Sequence, residues 1–346
     1  TSGEIWDSRT LKTVDMSKKK PRFVFASCMD DSAKAKQKVM WEGVQKLKPD
    51  YIFMIGDNVY GDKDVKFYTG PSDPRTLWTR YIETRTALQI FYADHLIPTL
   101  AVWDDHDFGE NDAGVEYPQK EVSRQIMLDY FKVPKNSPRR TRADGIYTSH
   151  ILAQGDIKVQ VILPDLRWNR SPLESVGRLK YMFSKAPNDL GPYEPSQDTS
   201  KTMLGHAQWD GLEQQLREPA DVRILASSLQ FLPEFGGWES WANLPHERQR
   251  FIGLLDQYEI DNLVIVSGDT HWSELSQITR KNGKALWEMT SSGLTEEWKD
   301  VSPNKHRVGD SYSKANYGVI EIEGQQLTLS IRDVRGLEVM AKTIVL

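Results

Sequence analysis

Residues 22–31 read RFVFASCMDD, an apolar run followed by the only cysteine of the chain and by two aspartates. A short run of this kind fits a buried β-strand, and the polar side chains begin where the strand is predicted to end. An amphipathic helix is predicted next at 33–47, and a second apolar strand at 51–55. Strand, helix, strand is the order of a crossover between parallel strands. The stretch therefore predicts an α/β fold.

The rest of the chain continues this pattern and then changes to strands. We predict helices at 73–92, 118–131, 207–217 and 245–258, and strands at 99–103, 145–153, 157–163, 222–226 and 262–267. Later strands are predicted at 274–278, 286–291, 317–322, 327–332 and 341–346. The stretch 171–201 has many turn formers and no period, so we expect it to line a cleft. This order predicts two sheets packed face to face with helices outside.

The composition of the 346-residue chain is that of a globular protein. Charged residues make up 27% and the formal net charge is −5, so we expect no stable nucleic-acid partner. No apolar run approaches the roughly 20 residues that cross a bilayer, so we expect no membrane span. A single cysteine forms no internal disulfide and does not identify the compartment. The chain begins with Thr1, and we expect a mature form from which the targeting segment is absent.

Four short segments share one design, an apolar strand followed by polar residues of metal-binding type. They are FVFASCMDD, YIFMIGDNVYGD, TLAVWDDHDFGEND and NLVIVSGDTHWSEL, which begin at Phe23, Tyr51, Thr99 and Asn262. The carboxyl ends of parallel strands lie along one edge of a sheet, where ligands bind. We therefore expect the four segments to meet in space. Carboxylates, imidazoles and a thiol gathered there are the composition of a transition-metal site.

Each segment alone also has a purely structural interpretation. A lone cysteine after a strand is commonly a small buried side chain, and Gly56-Asp57 is a common turn sequence. The sequence SGDTH at 267–271 fits a capped turn. The sequence DDHD at 104–107 is harder to explain, because three carboxylates around one histidine repel one another unless cations or donors are near. The joint occurrence of the four segments favours the metal site.

Taken together, these motifs resemble the PhoD-like alkaline phosphatases, a branch of the calcineurin-like metallophosphoesterase superfamily. The resemblance is carried by Ser27-Cys28, Gly56-Asp57 with Tyr60, and the motifs at 104–107 and 267–271, with weaker agreement at Leu204-Gly205, Gln208-Trp209, Ser227-Ser228 and Gln230. It implies an α/β fold, a four-layer α-β-β-α sandwich of two mixed sheets. It also implies that residues 1–346 form a single metallophosphoesterase catalytic domain, without the separate N-terminal β domain that some family members carry.

The resemblance further implies a centre containing Fe³⁺ and Ca²⁺, or other divalent metals in their place. The implied ligands are Cys28, Asp57, Tyr60 and His271 for iron, and Asp57, as the bridge, with Asp105 and Asp269 for the second metal. Thiolate, phenolate and carboxylate are anionic and together stabilise a trivalent ion. Calcium prefers carboxylate and phosphate oxygens in loose geometry. One further ligand of the second metal is left open between Ser228 and Gln230.

Other residues are predicted to act on the substrate. By the resemblance, His106 is the proton donor to the leaving oxygen. Arg167, in Asp165-Leu166-Arg167 after a strand, is predicted to enter the cleft and to grip phosphate oxygens through its bidentate fork, as a catalytic and substrate-binding residue. Its alternative role is a surface ion pair. Gln230 and Asn111 are predicted to contact the substrate.

The predicted function is hydrolysis of phosphoric esters, with a metal-held hydroxide attacking phosphorus in line. Monoesters and diesters both stay open, and the expected substrates are small-molecule phosphate esters, including nucleotides or phospholipid-derived diesters. The resemblance implies an extracytoplasmic enzyme, periplasmic or secreted. One alternative is a metallophosphoesterase-fold binding module without catalysis. A second is a carbohydrate-active enzyme, suggested by the eleven tryptophans, whose activity strong chelation would leave untouched.

Overall fold

Two six-stranded sheets form the centre of the computed structural model, which describes residues 10–11, 14–15, 17–64, 67–68, 70–87 and 95–345. The described strands are β1 Thr10–Leu11, β2 Arg22–Ala26, β3 Tyr51–Ile55, β4 Lys63–Asp64, β5 Phe67–Tyr68, β6 His95–Leu96, β7 Thr99–Val102, β8 Thr148–Gln154, β9 Ile157–Leu163, β10 Glu174–Ser175, β11 Tyr193–Glu194, β12 Val222–Ala226, β13 Leu263–Ser267, β14 Ser273–Thr279, β15 Ala285–Ser291, β16 Asn316–Glu323, β17 Gln326–Asp333 and β18 Glu338–Val345. The described α-helices are α1 Lys34–Leu47, α2 Pro74–Ala87, α3 Asp105–Phe108, α4 Lys120–Tyr130, α5 Arg178–Lys180, α6 His206–Arg217 and α7 Pro245–Gln257.

The first large sheet has the strand order β18-β17-β16-β2-β3-β7. Its strands β2, β3 and β7 are parallel, as the β-α-β-α-β order of the sequence predicted, and β16 to β18 add an antiparallel half. The second sheet has the order β14-β15-β13-β12-β9-β8. It is parallel from β9 to β15 and antiparallel at both edges. Both large sheets are therefore mixed, which confirms the prediction.

The layers follow from how the strand side chains alternate. On β12, Ile224 packs into the core between the sheets, whereas Leu225 packs into a second core with residues of α6 and α7. On the side of the first sheet, α1, α2 and α4 bury Trp41, Tyr81 and Met127 in the first core. Because successive strand residues point to opposite faces, each sheet has one face on its partner and one under helices. The predicted helix–sheet–sheet–helix sandwich is confirmed.

Most element bounds agree with the sequence predictions to within a few residues. The helix predicted at 73–92 is α2, which ends at Ala87, and residues 88–92 lie outside the described part of the chain. The stretch 171–201 carries β10, α5 and β11 with short 3₁₀ and π turns between them. No helix within the described ranges is long and apolar enough to span a membrane.

Candidate metal centre

Four residues of metal-binding type follow strand ends in the left-handed backbone region. Cys28 (φ 61°) follows β2, Asp57 (φ 48°) follows β3, and Asp269 (φ 74°) and His271 (φ 63°) follow β13. Residues with a Cβ rarely adopt this region, and holding each one there costs on the order of 1–3 kcal/mol. Such positions cluster at functional sites because the surrounding structure must maintain them. The backbone at these four positions therefore serves to aim their side chains.

Two glycines allow the strand ends to approach one another. A Cβ on Gly56, whose φ is +114°, would lie 2.7 Å from the Cβ of Asp104 at the end of β7. A Cβ on Gly268 would lie 2.4 Å from Oγ of Ser27 at the end of β2. Since no side chain fits at either position, these glycines bring four strand ends into contact in two pairs, β3 with β7 and β13 of the second sheet with β2.

The first candidate metal group lies where these strand ends meet. Donor atoms of Cys28, Asp57 and His271 all lie within 4.8 Å of one another. Sγ of Cys28 is 3.6 Å from Oδ2 of Asp57, and Oη of Tyr60 is 3.3 Å from Nε2 of His271. The structure thus brings together the four residues that the resemblance implied as ligands of one metal.

A second candidate group shares one residue with the first. Donor atoms of Asp57, Asp104, Asp105 and Asp269 lie within 4.8 Å of one another. Because Asp57 belongs to both groups, it has the position that a ligand bridging two metals requires. The sequence analysis did not predict Asp104 as a metal ligand. Its position next to Asp105 in the DDHD motif is the sequence feature that could have indicated it.

The two residues left open for the second metal have other partners. Oγ of Ser228 donates to Oδ1 of Asp104 at 2.9 Å. Nε2 of Gln230 donates to Glu274 at 2.8 Å and to Thr290 at 3.1 Å. Ser228 thus contacts a carboxylate of the second group, and which residue supplies the further ligand stays open.

The donor set fits two cations. Oδ1 of Asp57 and Oδ2 of Asp104 are buried and have no hydrogen-bond partner, which is costly for a carboxylate unless a cation is near. Burial and the nearby carboxylates raise the pKa of Asp57 and of Asp269 well above the usual value. Thiol, phenol and imidazole donors on one side suit a transition metal, and carboxylates on the other suit a harder ion.

Helix α3 positions Asp105 and His106. It begins after Asp104 in a capping box, in which the carboxylate of Asp107 accepts hydrogen bonds from the backbone N–H groups of Asp104 and Val59, both at 3.0 Å. The carboxylate of Asp107 thus stabilises the start of α3 and the loop after β3. One carboxylate of the DDHD motif is structural, and the two before it face the candidate groups.

His106 is held by a residue that the sequence did not reveal. Nδ1 of His106 lies 2.8 Å from Oδ1 of Asp62, and its ring stacks on Tyr60 with the centroids 4.3 Å apart. Burial alone would lower the pKa of His106, but Asp105 and Asp62 raise it to about 9. A buried imidazole that keeps its proton next to the carboxylate groups suits a general acid. The only sequence feature that could have indicated this role of Asp62 is its position two residues after Tyr60.

Arg167 lies behind the carboxylates and not at the surface. Its side chain is fully buried, with Nε donating to Oδ1 of Asp104 at 2.5 Å and Nη1 donating to Oε1 of Glu239 at 2.9 Å. Nη2 is 3.8 Å from Oδ1 of Asp105 and has no hydrogen-bond partner. Arg167 therefore holds acidic residues in place, and direct contact with a phosphate stays a prediction.

We expect Arg167→Met to lower the free energy of unfolding by about 3–5 kcal/mol, because it leaves Asp104 and Glu239 buried without this partner. Urea denaturation of the two proteins measures the change. The matched control is Arg335→Met, whose ion pair with Asp333 involves a largely exposed arginine and contributes at most about 1 kcal/mol. Equal losses in the two variants would contradict the buried role of Arg167.

A cavity of about 250 Å³ opens onto the two groups. It is lined by Asp57, Asp105, His106, Asn111, Asp112, Tyr193, Trp238, Glu239, Asp269, Thr270, His271, Trp272 and Trp298. Asn111 thus lies at the cavity. Tyr193 lies there too, and it belongs to the stretch 171–201, which was predicted to line a cleft. Gln230 lines a smaller neighbouring cavity instead. Of the described lining residues, none is a lysine or an arginine.

Comparison with known proteins identifies the same relationship as the motifs. Alkaline phosphatase D of Bacillus subtilis (strain 168) is 23% identical over 302 residues, which cover 79% of this chain and 50% of the relative. The chain therefore spans about half the length of this curated relative. The solved structure of PhoD has a TM-score of 0.70 at 18% identity, covering 94% of this chain and 68% of the other. GAP50, the anchor in the inner membrane complex of Plasmodium, has a TM-score of 0.57 at 13% identity, covering 95% and 90%.

The two structural matches support the fold alone at these identities. The family model described as PhoD-like phosphatase matches residues 23–336, which include every residue of both candidate groups. The match extends from β2 into the turn before β18, and so covers the whole second large sheet and all strands of the first except β18. On this evidence the chain belongs to the PhoD-like phosphatase family.

Proposed function

We propose that the protein hydrolyses phosphoric esters at a two-metal centre built on Asp57. The observation that carries the proposal is the sharing of Asp57 by two donor groups, both of which lie at an open cavity. Cys28, Tyr60 and His271 complete the first group, which we assign to Fe³⁺. Asp104, Asp105 and Asp269 complete the second, which we assign to Ca²⁺ on the chemistry of its oxygen donors.

Metal ions in such a centre supply an activated water and positive charge beside the phosphoryl oxygens. The chain supplies the proton for the leaving alcohol. Nδ1 of His106 is held by Asp62, so we assign the donated proton to Nε2. Tyr60 stacks on the same ring and keeps it facing the cavity. Arg167 fixes Asp104, which in turn fixes one side of the second group.

The cavity wall favours an ester whose alcohol is uncharged. Trp238 and Trp298 meet edge to face with their ring centroids 5.8 Å apart, and both line the cavity with Trp272. Aromatic walls favour planar or apolar groups, and no described lysine or arginine is available there for a second phosphate. Small monoesters and diesters both fit this description. We also propose an extracytoplasmic location, which rests on the family resemblance.

We expect the purified protein to contain iron and to absorb visible light through charge transfer from Tyr60 to Fe³⁺. Tyr60→Phe should remove most of the absorption, and Cys28→Ser should lower the iron content, because each change deletes one anionic donor of the first group. Elemental analysis and a visible spectrum measure both. Tyr81→Phe, in which the lost hydroxyl donates to the backbone oxygen of Asp107, is the control and should keep the colour.

These measurements also separate the rival functions. Colourless protein containing zinc alone would contradict the iron assignment and leave the hydrolase proposal standing. A binding module without catalysis would not hydrolyse p-nitrophenyl phosphate. A carbohydrate-active enzyme would keep its activity after strong chelation, whereas the proposed phosphoesterase should lose it and regain it with metal.

A further inference from the structure

An exposed apolar stripe lies on residues 178–188, which we call the tip segment. The segment runs through α5, a π turn at Tyr181–Lys185 and a 3₁₀ turn at Ala186–Asn188. Leu179, Met182 and Phe183 are 72%, 49% and 77% exposed. Their spacing of three and four residues places them on one face of a helical segment. Single exposed apolar residues are ordinary, but three adjacent bulky ones usually mark an interaction surface.

The charge of the tip segment is opposite to that of the chain. It contains Arg178, Lys180 and Lys185 and no acidic residue, whereas the chain has a formal net charge of −5. Lys180 forms an ion pair with Glu194 at the base of the segment. A short amphipathic helix with bulky apolar residues on one face and basic residues beside it is typical of segments that lie in a membrane interface.

Residues 189–193, which follow the tip segment and form its base, are hydrogen-bonded to the wall of the cavity. Backbone N–H groups of Gly191 and Tyr193 donate to the carbonyls of Gly236 and Gly237 at 2.8 and 2.9 Å. The hydroxyl of Ser302 donates to the carbonyl of Asp189 at 2.6 Å. Tyr193 itself lines the cavity, as does Trp238, which follows Gly237. The exposed stripe therefore belongs to an element whose base forms part of the cavity mouth.

We propose that the tip segment docks onto the anionic face of a phospholipid bilayer, with Leu179, Met182 and Phe183 entering the interface. Basic residues beside the stripe are complementary to anionic headgroups, each contributing to attraction near the surface. Two copies of the chain meeting through this stripe would place the basic residues of one beside those of the other, which disfavours self-association. Docking holds the cavity mouth near the membrane. The resulting supply of membrane-derived esters rests on the proposed function, whereas docking itself does not.

The test is cosedimentation of the metal-loaded protein with vesicles. Vesicles of phosphatidylcholine mixed with an equal amount of phosphatidylglycerol should bind the protein, and vesicles of phosphatidylcholine alone should bind it weakly. The double variant Leu179→Ser, Phe183→Ser should lower binding about tenfold or more, because two apolar side chains no longer enter the interface. The control is Leu337→Ser, another exposed leucine (56%) in the turn between β17 and β18, which should bind as the unchanged protein does.

A charge pair of variants tests the second part of the argument. Arg178→Glu with Lys185→Glu should lower binding to the mixed vesicles, whereas Lys281→Glu with Lys284→Glu, in the exposed turn between β14 and β15, should not. No binding by the unchanged protein, or equal losses in test and control variants, would overturn the proposal.

Two other outcomes would identify a different occupant of the stripe. A loss of p-nitrophenyl phosphate hydrolysis in the Leu179→Ser, Phe183→Ser protein would mean that the tip closes over the cavity. A change in its mass by light scattering would mean that the stripe joins two copies of the chain. Either result overturns membrane docking. Because vesicle binding is measured without turnover, its failure is distinguishable from a failure of the proposed hydrolysis.

Discussion

Asp57→Asn is expected to lower ester hydrolysis by at least about a thousandfold and to remove bound metal in the same protein. Asp57 is the one residue that both donor groups share, and its Oδ1 is buried without a hydrogen-bond partner. An amide at this position cannot provide the negative charge that two neighbouring cations require. Hydrolysis of p-nitrophenyl phosphate and elemental analysis of the purified variant measure the two losses.

Asp31→Asn is the matched control for this change. Asp31 is also buried, but its Oδ1 pairs with Nη2 of Arg80 at 2.5 Å and it belongs to neither donor group. We expect this variant to keep its metals and its rate. Circular dichroism should show that both variants are folded. An Asp57→Asn protein that hydrolyses the substrate at the unchanged rate would exclude a centre built on this residue.

Much of the fold could be predicted because its central parallel strands carry two sequence signals, an apolar run and polar residues directly after it. The runs that became β2, β3 and β13 are continuous and apolar, as strands buried on both faces are, and each is followed by polar residues. Parallel strands leave such residues at one edge of a sheet, which brings Cys28 and Asp57 together at the end of the first sheet. Asp269 follows β13 of the second sheet, so its meeting with them depends on the face-to-face packing of the two sheets. The layers then followed from the helices between the strands. The single-domain organisation stays a prediction.

The finer geometry of the site could not be predicted from the same patterns. Nothing in the identity of a cysteine or a histidine predicts a left-handed backbone, yet Cys28 and His271 both have one. Glu239 lies in a loop without periodicity, and only the fold places it against Arg167. Arg167 lies behind the cavity wall against three acidic neighbours, and its predicted contact with a phosphate stays a prediction. Long-range charge pairing of this kind has no local sequence signal.

His106→Asn is expected to lower kcat by about 10²–10⁴-fold while both metals stay bound, because the variant lacks the imidazole that gives a proton to the leaving alcohol. The loss should depend on the ester. An alkyl alcohol leaves poorly without a proton, whereas p-nitrophenolate leaves without one, so the alkyl ester should show the larger loss. His150→Asn, on the edge strand β8, is the control and should change neither rate. Equal losses for both esters in the His106→Asn protein would contradict the role of proton donor.

Asp62 is expected to act on catalysis through His106, since its Oδ1 contacts Nδ1 of that ring. Asp62→Asn keeps the shape of the side chain but removes the carboxylate that orients the imidazole and raises its pKa. We expect a loss in kcat of roughly 10–100-fold, again larger for the alkyl ester. The double variant Asp62→Asn, His106→Asn tests whether the two residues contribute to the same catalytic step. If Asp62 works by positioning His106, adding Asp62→Asn to His106→Asn costs nothing further. If the two losses multiply instead, Asp62 contacts the substrate or the metals separately. That result would contradict its role as the residue that positions His106.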